Sequence, residues 1–97
     1  MSEEKIKALF GFANKAGKLA PGRSAVTTAY FRKKLAAVVI ATDASEKLKT
    51  LASDFGVQVL QYATKDELGQ MLGRNETGII GILDEGFAQS IQRAMTP

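Results

Sequence analysis

The chain contains no cysteine and no histidine. Without cysteine it has neither a disulfide nor a thiolate metal site, and nucleophilic catalysis has no thiol to use. Without histidine it lacks the usual general base near neutral pH and the commonest nitrogen ligand for zinc. No apolar run approaches the roughly 18 residues needed to span a membrane. Met1-Ser2-Glu3-Glu4-Lys5 does not read as a signal peptide, since no basic segment is followed by an apolar one. These absences lead to the expectation of a cytoplasmic protein that is not an enzyme and uses no cofactor and no metal.

A further absence is local. From Lys5 to Thr42 there is no acidic residue, yet the stretch holds eight cations: Lys5, Lys7, Lys15, Lys18, Arg23, Arg32, Lys33 and Lys34. Residues 43–97 reverse the balance, with five cations against eight acids, so the net charge of +3 conceals a basic first half. Such asymmetry suits a polyanionic partner; solvated lysines with no partner are the plain alternative. At 97 residues, with 45% hydrophobic content, residues 1–97 are expected to form one domain with a core that needs no covalent staples.

The periodicity alternates. Ile6, Leu9, Phe10 and Ala13 recur at helical spacing, which predicts a helix from residue 3 to about 16, stopped by Gly17. Leu19-Ala20 is a short strand, and a second helix runs to Arg32 or Lys33, burying Val26, Ala29 and Tyr30. The run Ala36–Ala41 reads as a strand covered on both faces. Ser45 caps a third helix that extends to about Phe55. Val57–Tyr62 and Ile79–Leu83 are further strands, and the last helix spans about Glu85–Met95. Thr64-Lys65-Asp66-Glu67 matches a capping box that opens a fourth helix. The pattern predicts an α/β protein, a three-layer α-β-α sandwich around a small mixed, partly parallel four-stranded sheet.

Ala20–Thr28 runs from a loop into a helix inside the basic block. A helix start presents unpaired N–H groups and the positive end of its dipole, which suits phosphate. Gly11–Lys18 is superficially like a phosphate-binding P-loop, but the glycines are one residue too far apart. Leu19 stands where a magnesium-binding hydroxyl belongs, and the segment ends a helix. Asp84-Glu85 reads as an N-cap with its dipole partner. For Asp43, ligand contact, loop formation and capping beside Ser45 all stay open. At 100° per residue Phe31 falls on the outer face of the second helix with Ser24, Thr27 and Thr28, where it could stack on a base, pack on Leu35 or cover a partner protein.

Taken together, Leu9–Ala13, Ala16–Leu19, Gly22, Ala29, Val38–Ser45, Thr64–Gly69 and Leu83–Ala88 give the chain a recognisable order. It resembles the ribosomal protein L-seven-Ae family of kink-turn RNA binders, and within it the small bacterial YlxQ-type branch. The resemblance implies an α-β-α sandwich that binds structured RNA without catalysis, often within ribonucleoprotein particles. In that family the start of the second helix reads tandem sheared G·A pairs through Gly-x-Asn-Glu-x-x-Lys. Here Gly22 keeps the glycine and Arg23 takes the variable place, while Ser24, Ala25 and Thr28 stand for Asn, Glu and Lys. The groups that read guanine edges are therefore largely missing: a Ser hydroxyl can donate and accept, and Ala25 can do neither. The family's loop before the last strand is usually apolar; here Arg74, Asn75, Glu76 and Thr77 make it polar.

The resulting expectation is a monomer with structured RNA as partner, ribosomal RNA first, beside other ribonucleoprotein components and away from any membrane. Lys18, Arg23, Arg32 and Lys34 would hold phosphates. Gly22, Ser24, Ala25 and Thr28 would lie nearest the groove, with Asp43 and Arg74–Thr77 as flanking loops. The rival is a protein-interaction adaptor that keeps the fold and has lost RNA readout, with Phe31 and the altered loops as its surface.

Overall fold

The computed structural model describes residues 3–96. Helix α1 (Glu3–Lys15) forms because Ile6, Phe10 and Ala13 share one face, and all three are fully buried. It stops at Gly17, whose left-handed φ of 70° lets the Lys18 N–H donate to the Ala13 carbonyl at 2.9 Å. The chain continues through β1 (Leu19–Pro21), α2 (Arg23–Phe31), β2 (Ala37–Ile40), α3 (Glu46–Asp54), β3 (Gln58–Gln61), α4 (Lys65–Met71), β4 (Ile79–Ile82) and α5 (Glu85–Met95).

The strands lie in the order β1-β4-β2-β3. β4 runs antiparallel to both β1 and β2, while β2 and β3 are parallel, so the sheet is mixed as expected. All four positions of β2 and of β4 are buried, which requires cover on both faces. Helix α1 packs with α4 and α5 in one layer; α2 lies on β1 and β4, and α3 on β2, in the other. Phe10, Ile6, Leu68, the β4 isoleucines and Ile91 fill the centre. Among the described residues no helix is long and apolar enough to cross a membrane.

Local signals set the helix starts. The Ser45 hydroxyl accepts from the Leu48 N–H at 3.2 Å, and Asp84 accepts from the Phe87 N–H at 2.9 Å. Thr64 and Glu67 form the capping box in both directions. Two expectations need correction. Helix α2 ends at Phe31, because Lys33 adopts a left-handed φ of 59° and turns the chain. Tyr30 is not buried but 39% exposed, since its ring leans on Phe55 from outside, with centroids 4.8 Å apart.

Tyr62 lies half-buried between α1 and α4, stacked on Phe10. Burial, and then the carboxylates of Glu3 and Glu67, push its phenol above the ordinary value of 10.0. The folded protein therefore keeps this proton to higher pH than the unfolded chain, and stability falls as pH rises above 10 towards the folded-state pKa. Denaturant midpoints should decline as pH rises past the ordinary phenol value of 10.0, and decline less in Tyr62→Phe. Equal slopes in the two proteins would remove Tyr62 as the cause.

Candidate nucleic-acid interface

The register brings the ends of strands together. Pro21 lies opposite Ile80, and Ile40 opposite both Ile79 and Gln61, so one end of the sheet carries Gly22, the Thr42–Asp43 turn and the loop that precedes β4. The Gly22 N–H donates to the Ile79 carbonyl at 2.9 Å, which pins the start of α2 to the start of β4. Gly22 has φ 95°, a left-handed backbone that disfavours any side chain. A Cβ at Gly22 would stand 3.9 Å from Arg74 Nη2, so the polar loop and the helix start meet here.

Helices α3, α4 and α5 each have a side-chain N-cap and an acidic residue in the first turn; α2 has neither. Its first-turn amides are left for an external acceptor, with the positive end of the dipole behind them. The other end of α2 is basic as well. Arg32, Lys33 and Lys34 follow its last turn, where Lys33 and Lys34 donate their N–H groups to the Tyr30 and Ala29 carbonyls, both at 3.0 Å. Lys18 is exposed and leads into β1 at this end, its carbonyl accepting from the Leu83 N–H at 2.8 Å.

An open depression of about 440 Å³ runs along α2 beside the edge strand β1 and joins the two ends. Ser24, Thr28, Arg32 and Lys34 supply its polar lining, and Ala20, Ala25, Ala29 and Leu83 its apolar part. Among the described residues no carboxylate lines it. Two cations, two hydroxyls and a small apolar floor can hold phosphates while leaving sugar or base surface against alanine methyls. Sequence reasoning found the polar members but missed Ala20, Ala29 and Leu83. Only the pairing of β1 with β4 brings them beside α2.

The loop over residues 72–78 is held by α4. The Arg74 N–H donates to the Gly69 carbonyl at 2.9 Å, with Gly73 in a left-handed conformation at φ 67°. A Cβ on Gly69 would lie 2.7 Å from the Asn75 carbonyl carbon and 2.9 Å from the Arg74 carbonyl oxygen, so only glycine permits this approach. Arg74, Asn75 and Glu76 are exposed, as a contact loop requires. Thr77 is not: it is 2% exposed, its hydroxyl donates to the Asn75 carbonyl at 3.0 Å, and its N–H donates to the Lys65 carbonyl at 3.0 Å. Its side chain belongs to the loop's internal bonding and leaves the list of surface contacts.

Asp43 acts on a different helix from the one beside it in sequence. Its Oδ1 accepts from the Lys65 N–H at 2.8 Å, adding a second cap to α4. Arg23 lines a second depression with Glu46, Lys47, Thr50, Leu51 and Asp54 of α3. Lys47, outside the basic block in sequence, is thus a neighbour of Arg23 in space. Phe31 is 75% exposed on the outer face of α2, as the helical spacing implies.

The sequence profile of the Ribosomal protein L7Ae/L30e/S12e/Gadd45 family matches residues 4–92. The chain is 33% identical over 92 residues to RNA-binding protein YlxQ of Enterococcus faecium, covering 91% of this chain and 88% of that protein. A Bacillus halodurans protein of unknown function superposes with a TM-score of 0.80 at 26% identity, over 94% of this chain and 96% of its own. The Giardia lamblia 15.5kD RNA binding protein shares the fold at a TM-score of 0.71 and 20% identity, over 98% and 91% of the two chains. With this match along most of its length, the chain belongs to the ribosomal protein L7Ae/L30e/S12e/Gadd45 family.

Proposed function

We propose that the chain is a non-enzymatic RNA-binding module that seats structured RNA along α2 and β1. The observation that carries this reading is the carboxylate-free groove with cations at one end and an uncapped helix start at the other. The relative of similar length, an RNA-binding protein, supports RNA as the polyanion. Phosphates would lie against Arg32, Lys34 and Lys18 at the far end, and against Arg23, Arg74 and the α2 amides at the near end. Ribosomal RNA or another structured RNA in the cytoplasm is the expected target, with the protein acting as a monomer. Kink-turn readout is degraded: Ser24, Ala25 and Thr28 line the groove at the positions where the family's polar triplet would reach the bases. The adaptor reading has only the exposed Phe31 and the polar loop in its favour, and neither accounts for the groove's charge.

The test compares cations inside and outside the interface. Lys18→Ala and Arg23→Ala should each weaken binding to several RNAs by similar factors, because phosphate contacts position the protein without reading sequence. Each should also reduce the slope of log K against log salt by about 1. Arg93→Ala, exposed on α5 in the other helical layer, should leave both quantities unchanged. If all three variants behave alike, the attraction is diffuse and the cations at the two ends of the groove do not hold the RNA.

A further inference from the structure

At the end of α2 three aromatic rings step outward from the core. Phe55 is buried, Tyr30 packs on it with centroids 4.8 Å apart, and Phe31 meets Tyr30 edge to face at 5.4 Å and 67°. Phe31 itself is 75% exposed, more than any other large apolar residue described. Removing a phenyl ring from water is favourable, so a ring left out and braced in place by a second ring is a cost of the free protein that a partner can recover. Immediately after it come Arg32, Lys33 and Lys34, all exposed. Lys33 occupies the left-handed turn position, φ 59°, where a side chain is disfavoured and glycine would be at ease. The turn thus carries a third positive charge where backbone conformation alone would favour glycine.

We infer that Phe31 is a stacking platform for an unpaired base of the bound RNA, with Arg32, Lys33 and Lys34 holding the phosphates on either side of that nucleotide. The inference rests on the RNA-binding reading and extends it, since it assigns single-stranded RNA next to the structured element as a ligand. Ser24, Thr28 and Phe31 lie on one stripe of α2, so the platform continues the groove about 10 Å along the helix from Ser24. Charge complementarity selects the occupant. A phosphodiester strand supplies a π-face and an anion on each nucleotide, matching a ring beside three cations. An apolar protein partner would have to bury those cations.

Two labelled strands of equal length, oligoadenylate and its fully abasic counterpart, carry the same phosphates and differ only in the bases. The parent protein should bind oligoadenylate more tightly. Phe31→Ala should lose about 5- to 150-fold on oligoadenylate and little on the abasic strand. Phe31→Tyr should restore the preference, and Phe12→Ala, which removes a 63% exposed ring from α1, should leave it intact. An unchanged preference in Phe31→Ala would overturn the platform. So would a parent that binds a structured ribosomal RNA fragment but treats the two strands alike, and in that case the RNA-binding reading survives alone. A parent that binds neither strand nor structured RNA would overturn both. Self-association that disappears in Phe31→Ala, with RNA binding unchanged, would reassign the ring to a protein contact.

Discussion

Restoring the family's polar triplet as Ser24→Asn, Ala25→Glu and Thr28→Lys should give the proposed RNA binder a preference for a kink-turn. All three positions line the groove. Ser24 and Thr28 are exposed and one helical turn apart, so longer side chains there reach outward without disturbing the core. Residue 25 is half-buried in the first turn of α2, where a carboxylate is favoured by the dipole and can accept from guanine amino and imino groups. Each regained base-edge contact is worth about 1–3 kcal/mol, by analogy with base discrimination in DNA. Two such contacts would raise the preference for a kink-turn, over the same RNA with its sheared pairs replaced by Watson–Crick pairs, by at least about thirtyfold. Titrating parent and triple variant against both RNAs measures it. An unchanged ratio in a folded variant would mean that the polar loop or the backbone at Gly22 already excludes the kink. A parent that is strongly kink-selective would show that the missing side chains are not what sets specificity.

Gly69→Ala should damage both stability and binding, although the residue lies in a helix and alanine is the better helix former. A methyl group there collides with the backbone of Arg74 and Asn75, and a backbone cannot rotate away as a side chain can. Overpacking of this kind costs about 1–3 kcal/mol, and the relief available is displacement of the loop that carries Arg74 to Gly22. Gly11→Ala in α1 is the matched control. Nothing lies within 4 Å of its added methyl, so it should stabilise by about 0.5–1 kcal/mol. Denaturation midpoints and RNA titrations on the two variants should therefore move in opposite directions for stability, with binding reduced only in Gly69→Ala. A Gly69→Ala protein as stable as the parent and equally able to bind RNA would mean that this loop does not rest on α4.

Local signals made most of the framework legible. Gly17, the Thr64–Glu67 box and Asp84 act within three or four residues, and each appears as a helix stop or cap where its chemistry places it. The apolar runs around Val38 and Ile80 gave away the two buried strands, each of them a residue or two shorter than its run. What stayed hidden depends on contacts distant in sequence. Asp43 caps a helix that starts 22 residues later. Thr77 is polar yet buried, because Lys65 and Asn75 supply its backbone and hydroxyl partners. Lys47 meets Arg23 only because α2 and α3 share a layer. The groove's floor depends on β1 being the edge strand beside β4, and strand order leaves no trace in a residue pattern.

The central claim is that RNA is held along α2 mainly by phosphate contacts from Lys18, Arg23, Arg32 and Lys34. Equilibrium titration of the intact protein against a structured ribosomal RNA fragment, repeated from low to physiological salt, tests it most directly. Four contacts predict that log K falls linearly with log salt at a slope of about −3 to −4. Binding whose affinity stays constant across that range, or no binding even at low salt, would contradict the account.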